Sequence, residues 1–346
     1  MNHIELSFNE MVKQCIYVLK AGLVPHLIGS PGEGKSAVAS YIADKWNLFL
    51  IDERLSTADP TDQKGLPGYK GDKASYIPFD TFPLEGDPIP EGYSGFLLNL
   101  DELDSASRAV VASAYKTILD RMIGNKKLHP KLVIMTAGNS ANDNAIVNEI
   151  GTAMQSRLVN LYMGRDVPQF IDFMTEQRWD SRIIGFIGFQ PSLLNNFEPD
   201  HSDANFACQR TWEFVNKLLK KNPKATAEEM LPAIAGSVGQ GVAQNFLAYC
   251  DYYSSLPKFE DMIRDPLGCP LPDEPGIHWA AATLVGERAD QKTIGPALEF
   301  LQRMDIDLEL VGAKMVYRRC KSELIQTKEF RDWMRQRSEE FITGEN

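Results

Sequence analysis

Cysteine is scarce in this chain. Cys15, Cys208, Cys250, Cys269 and Cys320 are scattered and odd in number, with no C-x-x-C pair. That spacing argues against a disulfide framework or a cysteine zinc site and fits a reducing compartment. Long apolar runs are missing too: no stretch approaches the roughly 20 apolar residues of a membrane span. The first residues carry Glu5 and Glu10 rather than an apolar run, so no signal peptide is expected and the chain reads as soluble and cytoplasmic. Positive charge is in deficit, with 36 Lys and Arg against 47 Asp and Glu and a net charge of −11. That balance disfavours a general nucleic-acid coat but leaves room for a local basic channel. There is no internal repeat and no low-complexity tract. What remains is 346 residues of ordinary globular composition, enough for about two domains.

Gly29-Ser30-Pro31-Gly32-Glu33-Gly34-Lys35-Ser36 fits the phosphate-loop pattern G-x-x-x-x-G-K-[ST] at every fixed position. Glycines let the backbone turn tightly and aim its N–H groups at phosphate oxygens, and the following helix adds the positive end of its dipole. Lys35 can reach the β- and γ-phosphates of a nucleoside triphosphate, and the Ser36 hydroxyl can ligate Mg²⁺. The context agrees. Residues 23–28 read as a short buried strand, and Lys35 to Trp46 reads as a helix with Val38, Ile42 and Trp46 on one face.

Upstream, Met11, Val12, Cys15, Ile16 and Leu19 have helical spacing, and Gly22 suits the helix end. Downstream, Leu48-Phe49-Leu50-Ile51 suggests a strand buried on both faces of a parallel sheet, completing a strand–helix–strand crossover. Residues 56–95 are rich in Pro, Gly and Asp. Such a length is either functional or a passive surface insertion, and Tyr69 with Tyr76-Ile77-Pro78-Phe79 suggests a hairpin around Gly71-Asp72.

Phe96 to Leu100 is then a buried strand ending in Asp101 and Glu102, the Walker B pattern. Asp101 at a strand tip can hold Mg²⁺ through water, and Glu102 can orient or deprotonate an attacking water. Ser107 to Asp120 reads as an amphipathic helix, and Gly124-Asn125 as a turn, with Lys126, Lys127, His129 and Lys131 forming a basic group nearby. Strand Leu132 to Thr136 delivers Asn139, whose amide can bond the γ-phosphate or the lytic water, or else serve as a turn former after Gly138. A helix is expected over 148–157, ending in Ser156-Arg157 before strand Leu158 to Met163. Arg157 is either a solvated charge or, in a ring of subunits, a group pointing into the neighbour's nucleotide.

Beyond Met163 buried-strand runs stop and proline-broken helical patterns take over, placing a domain boundary near Gly164. Helices are expected over 169–179 and 181–189, from Gln209, twice within 225–252, and finally over 329–342. Trp333 and Phe341 there read as packing residues rather than a nucleic-acid platform.

This ordered set resembles the AAA+ ATPases, and within them the bacterial and phage MoxR-like group. The resemblance is carried by the phosphate loop, Asp59-Pro60-Thr61-Asp62, Gly65-Leu66-Pro67, Asp101-Glu102, Leu119-Asp120-Arg121, Ile123-Gly124, Ala137-Gly138-Asn139, Ser156-Arg157 and Gln209-Arg210-Thr211-Trp212-Glu213, and covers roughly residues 10 to 250. It implies an α/β core over 1–164 with a five-stranded parallel sheet in the order 5-1-4-3-2. A helical lid over 165–255 and a C-terminal helical extension over 256–346 would follow. It further implies ATP and Mg²⁺ at Gly29 to Ser36 and Asp101, with Glu102 the Walker B glutamate and Asn139 the first sensor. Arg157 looks like an arginine finger acting on the adjacent subunit, with Arg165 an alternative, and Arg210 like a second sensor in the lid. Segments 66–93 and 121–131 match insertions that in such proteins face a ring pore.

The expected function is then ATP hydrolysis by a homo-oligomeric ring, hexameric by resemblance, that remodels or assembles a protein client. A von Willebrand factor A domain protein is one such partner. A nucleotide-gated scaffold with slow hydrolysis and a nucleic-acid motor are the rival readings, the latter disfavoured by the acidic balance. A small-molecule kinase fits least.

Overall fold

The computed structural model describes residues 3–140, 151–197 and 205–337. They divide at Asp166/Val167 into two compact units, the first α/β and the second helical.

The first unit opens with a two-residue strand, β1 (Glu5–Leu6), and helix α1 (Phe8–Lys20). Ser7 starts α1 as half of a capping box, its N–H donated to Glu10 Oε2 at 2.9 Å. Gly22, at φ +73, turns the chain just beyond the cap residue Ala21. The rest of the unit comprises β2 (Val24–Gly29), α2 (Lys35–Trp46), β3 (Leu48–Arg54), the hairpin β4 (Leu66–Lys70) and β5 (Lys73–Ile77), and β6 (Gly95–Asp101). Then come α3 (Arg108–Asp120), the small hairpin β7 (Met122–Ile123) and β8 (Lys126–Lys127), β9 (Leu132–Asn139), α4 (Thr152–Gln155) and β10 (Leu158–Met163). The expected hairpin forms at Gly71-Asp72, and the expected turn at Gly124-Asn125 joins the two strands of a second one. Of the helix expected over 148–157, only Thr152–Gln155 falls among the described residues as helix, and Asn148 lies outside them.

The main sheet has six parallel strands, β1-β10-β2-β9-β6-β3. Five of them follow the expected order. The sixth corrects the five-strand expectation: Glu5 and Leu6 pair with Tyr162 and Met163 along the edge of β10. Two residues are too few for any periodicity to announce them. A second correction concerns β3. It is the opposite edge strand, as the expected order has it, but Phe49 is exposed and the run is not buried on both faces, whereas β6 is buried along its whole length. An edge position leaves one flank to solvent however apolar the run. Alternate residues of β6 feed separate cores. Leu97 packs with α1 and α2 through Met11, Cys15, Val38 and Ile42, while Phe96, Leu98 and Leu100 pack with Val110, Ala114 and Ile118 of α3.

The second unit is entirely helical among its described residues. It runs through α5 (Val167–Glu176), α6 (Ser181–Phe189), α7 (Gln209–Lys221), α8 (Leu231–Val238) and α9 (Gln240–Ser255). It continues with α10 (Phe259–Arg264), α11 (Pro275–Arg288), α12 (Ile294–Leu301), α13 (Ile306–Ile325, broken at Lys321) and α14 (Lys328–Gln336). One apolar cluster gathers Phe186, Trp212, Phe246 and Tyr249, and another gathers Phe300, Leu301, Phe330 and Trp333. Trp333 is buried, and its indole N–H donates to Glu309 Oε1 at 2.6 Å, so it is a packing residue. Phe341 lies outside the described residues.

Candidate active site

The loop from Gly29 to Ser36 leaves the C-terminal end of β2 and enters α2. Gly32 (φ +80) and Gly34 (φ +95) occupy backbone conformations that side chains resist, and Gly34 is the cap residue of α2. The N-terminal N–H groups of a twelve-residue helix therefore open onto the loop. Lys35 folds back over it. Its ammonium donates to Gly29 O at 2.6 Å, to Ser30 O at 3.0 Å and to Asn139 Oδ1 at 3.3 Å. The last contact follows from register, because Gly29 at the tip of β2 sits opposite Asn139 at the tip of β9.

On the other flank of β9 runs β6, which carries Asp101. Asp101 Oδ2 accepts the Ser36 hydroxyl at 3.1 Å, joining the loop to the carboxylate strand. Glu102 follows in the left-handed region at φ +57 and donates its own N–H to Asp101 Oδ1 at 2.8 Å. Its carboxylate accepts the Ser56 hydroxyl and lies 3.4 Å from Arg54 Nε. Arg54 is the register partner of Asp101 on β3. Four adjacent strand tips thus converge on one edge of the sheet, where α/β folds bind their ligands. The grouping offers an anion cradle, a cation, two hard oxygen donors, a carboxylate and an amide within one site.

Ser36 and Asp101 suit Mg²⁺ by the chemistry of the pair, since that ion takes few protein oxygens and completes its shell with water and phosphate. A dedicated metal cluster is a different matter: among the described residues no three His, Cys, Asp or Glu side chains come together as one.

Two candidates are not carried by these strand tips. Arg157 is exposed just before β10, whose first residue pairs with Val24, the first residue of β2. Gly29 stands at the far end of β2, about 16 Å away at the rise of a strand, beyond the reach of an arginine side chain. Arg210 lies in the helical unit, exposed in the first turn of α7. That helix begins at Gln209, where Cys208 donates its N–H to Thr211 Oγ1 at 2.9 Å. In the basic group near the second hairpin, Lys126 and Lys127 are exposed. His129 is not at the surface: it is buried edge-on to Phe96 and accepts the Lys131 N–H at 3.1 Å.

Sequence reasoning missed three features. Glu33 turns its carboxylate inward beneath the loop, accepting the Ser30 N–H at 2.7 Å, and Arg165 binds it from the end of β10. Arg54 and Ser56 gather around Glu102. Directly behind the tips, His26 Nδ1 meets Thr136 Oγ1 at 2.8 Å, and its Nε2 lies 3.5 Å from Asp104 Oδ2. A histidine inside an apolar strand was the one signal for that last group.

No family model matches the chain, and no curated protein matches it. Among solved structures, it is similar to a mutant of RuvB from Thermotoga maritima, with 13% identity, a TM-score of 0.39 and coverage of 76% of this chain and 79% of that one. It is also similar to a protein from Cytophaga hutchinsonii described as a candidate ATPase, with 11% identity, a TM-score of 0.38 and coverage of 99% and 91%. Likeness at this level carries no argument about activity, so the site's own residues must carry it.

Proposed function

We propose that this chain is a Mg²⁺-dependent ATPase of the AAA+ superfamily, of the MoxR-like branch, working as a homo-oligomeric ring that remodels or assembles a protein client. The observation that carries the reading is the convergence of Lys35, Ser36, Asp101, Glu102 and Asn139 on neighbouring strand tips around a phosphate loop. Triphosphate would lie along Gly29 to Gly34, its β- and γ-oxygens facing Lys35. Mg²⁺, when bound by Ser36 and Asp101, would neutralise charge on those oxygens. Glu102 would take a proton from the attacking water as it closes on the γ-phosphorus and the bond to the leaving ADP breaks. Asn139, already at Lys35, would orient that water or the γ-phosphate.

Arg157 is assigned to the neighbouring subunit's site, supported by its distance from the loop of its own chain. Residues 165–255 are taken as a lid read by Arg210, and 256–346 as an extension. A client with a von Willebrand factor A domain is the partner class that the resemblance suggests.

ATP turnover that appears with Mg²⁺ and vanishes with a chelator tests the core of this reading. Retention of ATP in stoichiometric amounts without turnover would favour a scaffold instead, and DNA binding that weakens steeply with salt would favour a nucleic-acid motor. The ring is tested by mixing. Glu102→Gln and Arg157→Ala subunits, each inactive alone, are expected to regain about a quarter of wild-type turnover when mixed equally, because one head-to-tail interface in four then carries both intact halves. A mixture as inactive as its components would sink the assignment of Arg157.

A further inference from the structure

Glu33 is an awkward occupant of an anion cradle. It stands between Gly32 and Gly34, in a loop whose backbone N–H groups would serve phosphate. Its side chain is only 6% exposed. Oε2 accepts the Ser30 N–H at 2.7 Å, so the carboxylate occupies one of the loop's own donors and sets negative charge inside the cradle. Gly29 makes the room for it, since a Cβ there would stand 2.8 Å from Oε2. Like charges in a partly desolvated site repel, and a buried carboxylate requires a partner. The partner is Arg165, whose Nε donates to Glu33 Oε1 at 3.3 Å across 132 residues of sequence. It arrives there because β10 runs parallel to β2 and ends beside the loop.

We propose that Arg165 is a positioning residue for the phosphate loop of its own chain: it neutralises and anchors Glu33, so that the cradle accepts a triphosphate. The proposal rests on the nucleotide-binding reading above. It assigns Arg165 to its own subunit and leaves the trans-acting role to Arg157. Glu33 in turn ties Ser30, at the mouth of the loop, to the segment that follows β10.

The test is a binding titration of full-length protein with a fluorescent ATP analogue and Mg²⁺. Arg165→Met is expected to weaken binding about tenfold, whereas Arg165→Lys keeps the charge and should lose less than about threefold. The deciding protein is Glu33→Gln/Arg165→Met: removing both charges should restore affinity to within about twofold of wild type. An arginine whose role did not run through the Glu33 charge would not be rescued by changing Glu33 to Gln.

Wild-type affinity in Arg165→Met would overturn the proposal. So would a double variant as weak as Arg165→Met, which is the pattern of an arginine that meets the nucleotide itself. Should Arg165→Met fail to fold, Glu33→Gln must restore folding in the double variant, and failure to do so also overturns it. If the wild-type protein binds no analogue at all, the nucleotide reading itself fails, a result distinct from normal wild-type binding with indifferent variants.

Discussion

Glu102→Gln is expected to lower ATP turnover by about a hundredfold or more while leaving ATP affinity within about twofold of wild type. The carboxylate sits one residue past Asp101, outside the cradle formed by the loop and Lys35, so losing its charge removes a base and not a binding contact. The amide is nearly isosteric and can still accept the Ser56 hydroxyl, which preserves the strained φ of +57 at this position. What it lacks is the capacity to take a proton from water at neutral pH. The checks are single-turnover hydrolysis and equilibrium nucleotide binding on the same preparation. Unimpaired turnover would remove Glu102 from the chemistry. Lost binding with lost turnover would make it part of the cradle instead. A variant that binds and stalls would also serve as bait for the proposed client, since it would hold the ATP state.

Gly138→Ala is the second large effect, and it acts from behind the site. A Cβ at this position would stand 1.5 Å from Asp104 Oδ2 and 2.5 Å from its Cγ, with His26 Cε1 at 3.1 Å. Neither neighbour has an easy retreat. Asp104 is buried in the short turn Leu103–Ser105 and faces His26, which is itself buried and bonded to Thr136. The added methyl must therefore displace β9, the strand that ends in Asn139, or the turn that follows Glu102. A loss of about 2–4 kcal/mol in unfolding free energy is expected, together with a fall in ATP turnover. Urea unfolding measures the first and a steady-state assay the second. In an Asp104→Ala background the clash disappears, so Gly138→Ala should then cost less than about 1 kcal/mol. An equal cost in both backgrounds would show that the carboxylate is not what Gly138 makes room for.

The legibility of this chain divides along a physical line. Helix α2 was readable to the residue because a left-handed glycine, a Lys-Ser start and an apolar face act within one turn of one another. Strand β6 was readable because full burial writes a continuous apolar run. The same run at β3 misled about burial, because hydrophobicity records that a segment belongs to a sheet and not how far each face is covered. Strand β1 left no trace, having only two residues. His129 carried a cationic look and proved to be packing against Phe96.

By itself, the sequence determined the phosphate loop, the acid pair at a strand end, the Asn at another and the order in which the strands appear. These are local matters of backbone sterics and side-chain period, settled by residues a few positions apart. Only the tertiary structure decided which of them meet. Lys35 touches Asn139 across 104 residues and Ser36 touches Asp101 across 65, because β9 lies between β2 and β6 in the sheet. The pairing of Glu33 with Arg165 had no sequence signature, and that of His26 with Asp104 had only a histidine inside an apolar strand. Strand register and chain direction bring such groups together, and those are properties of the assembled sheet rather than of any segment within it.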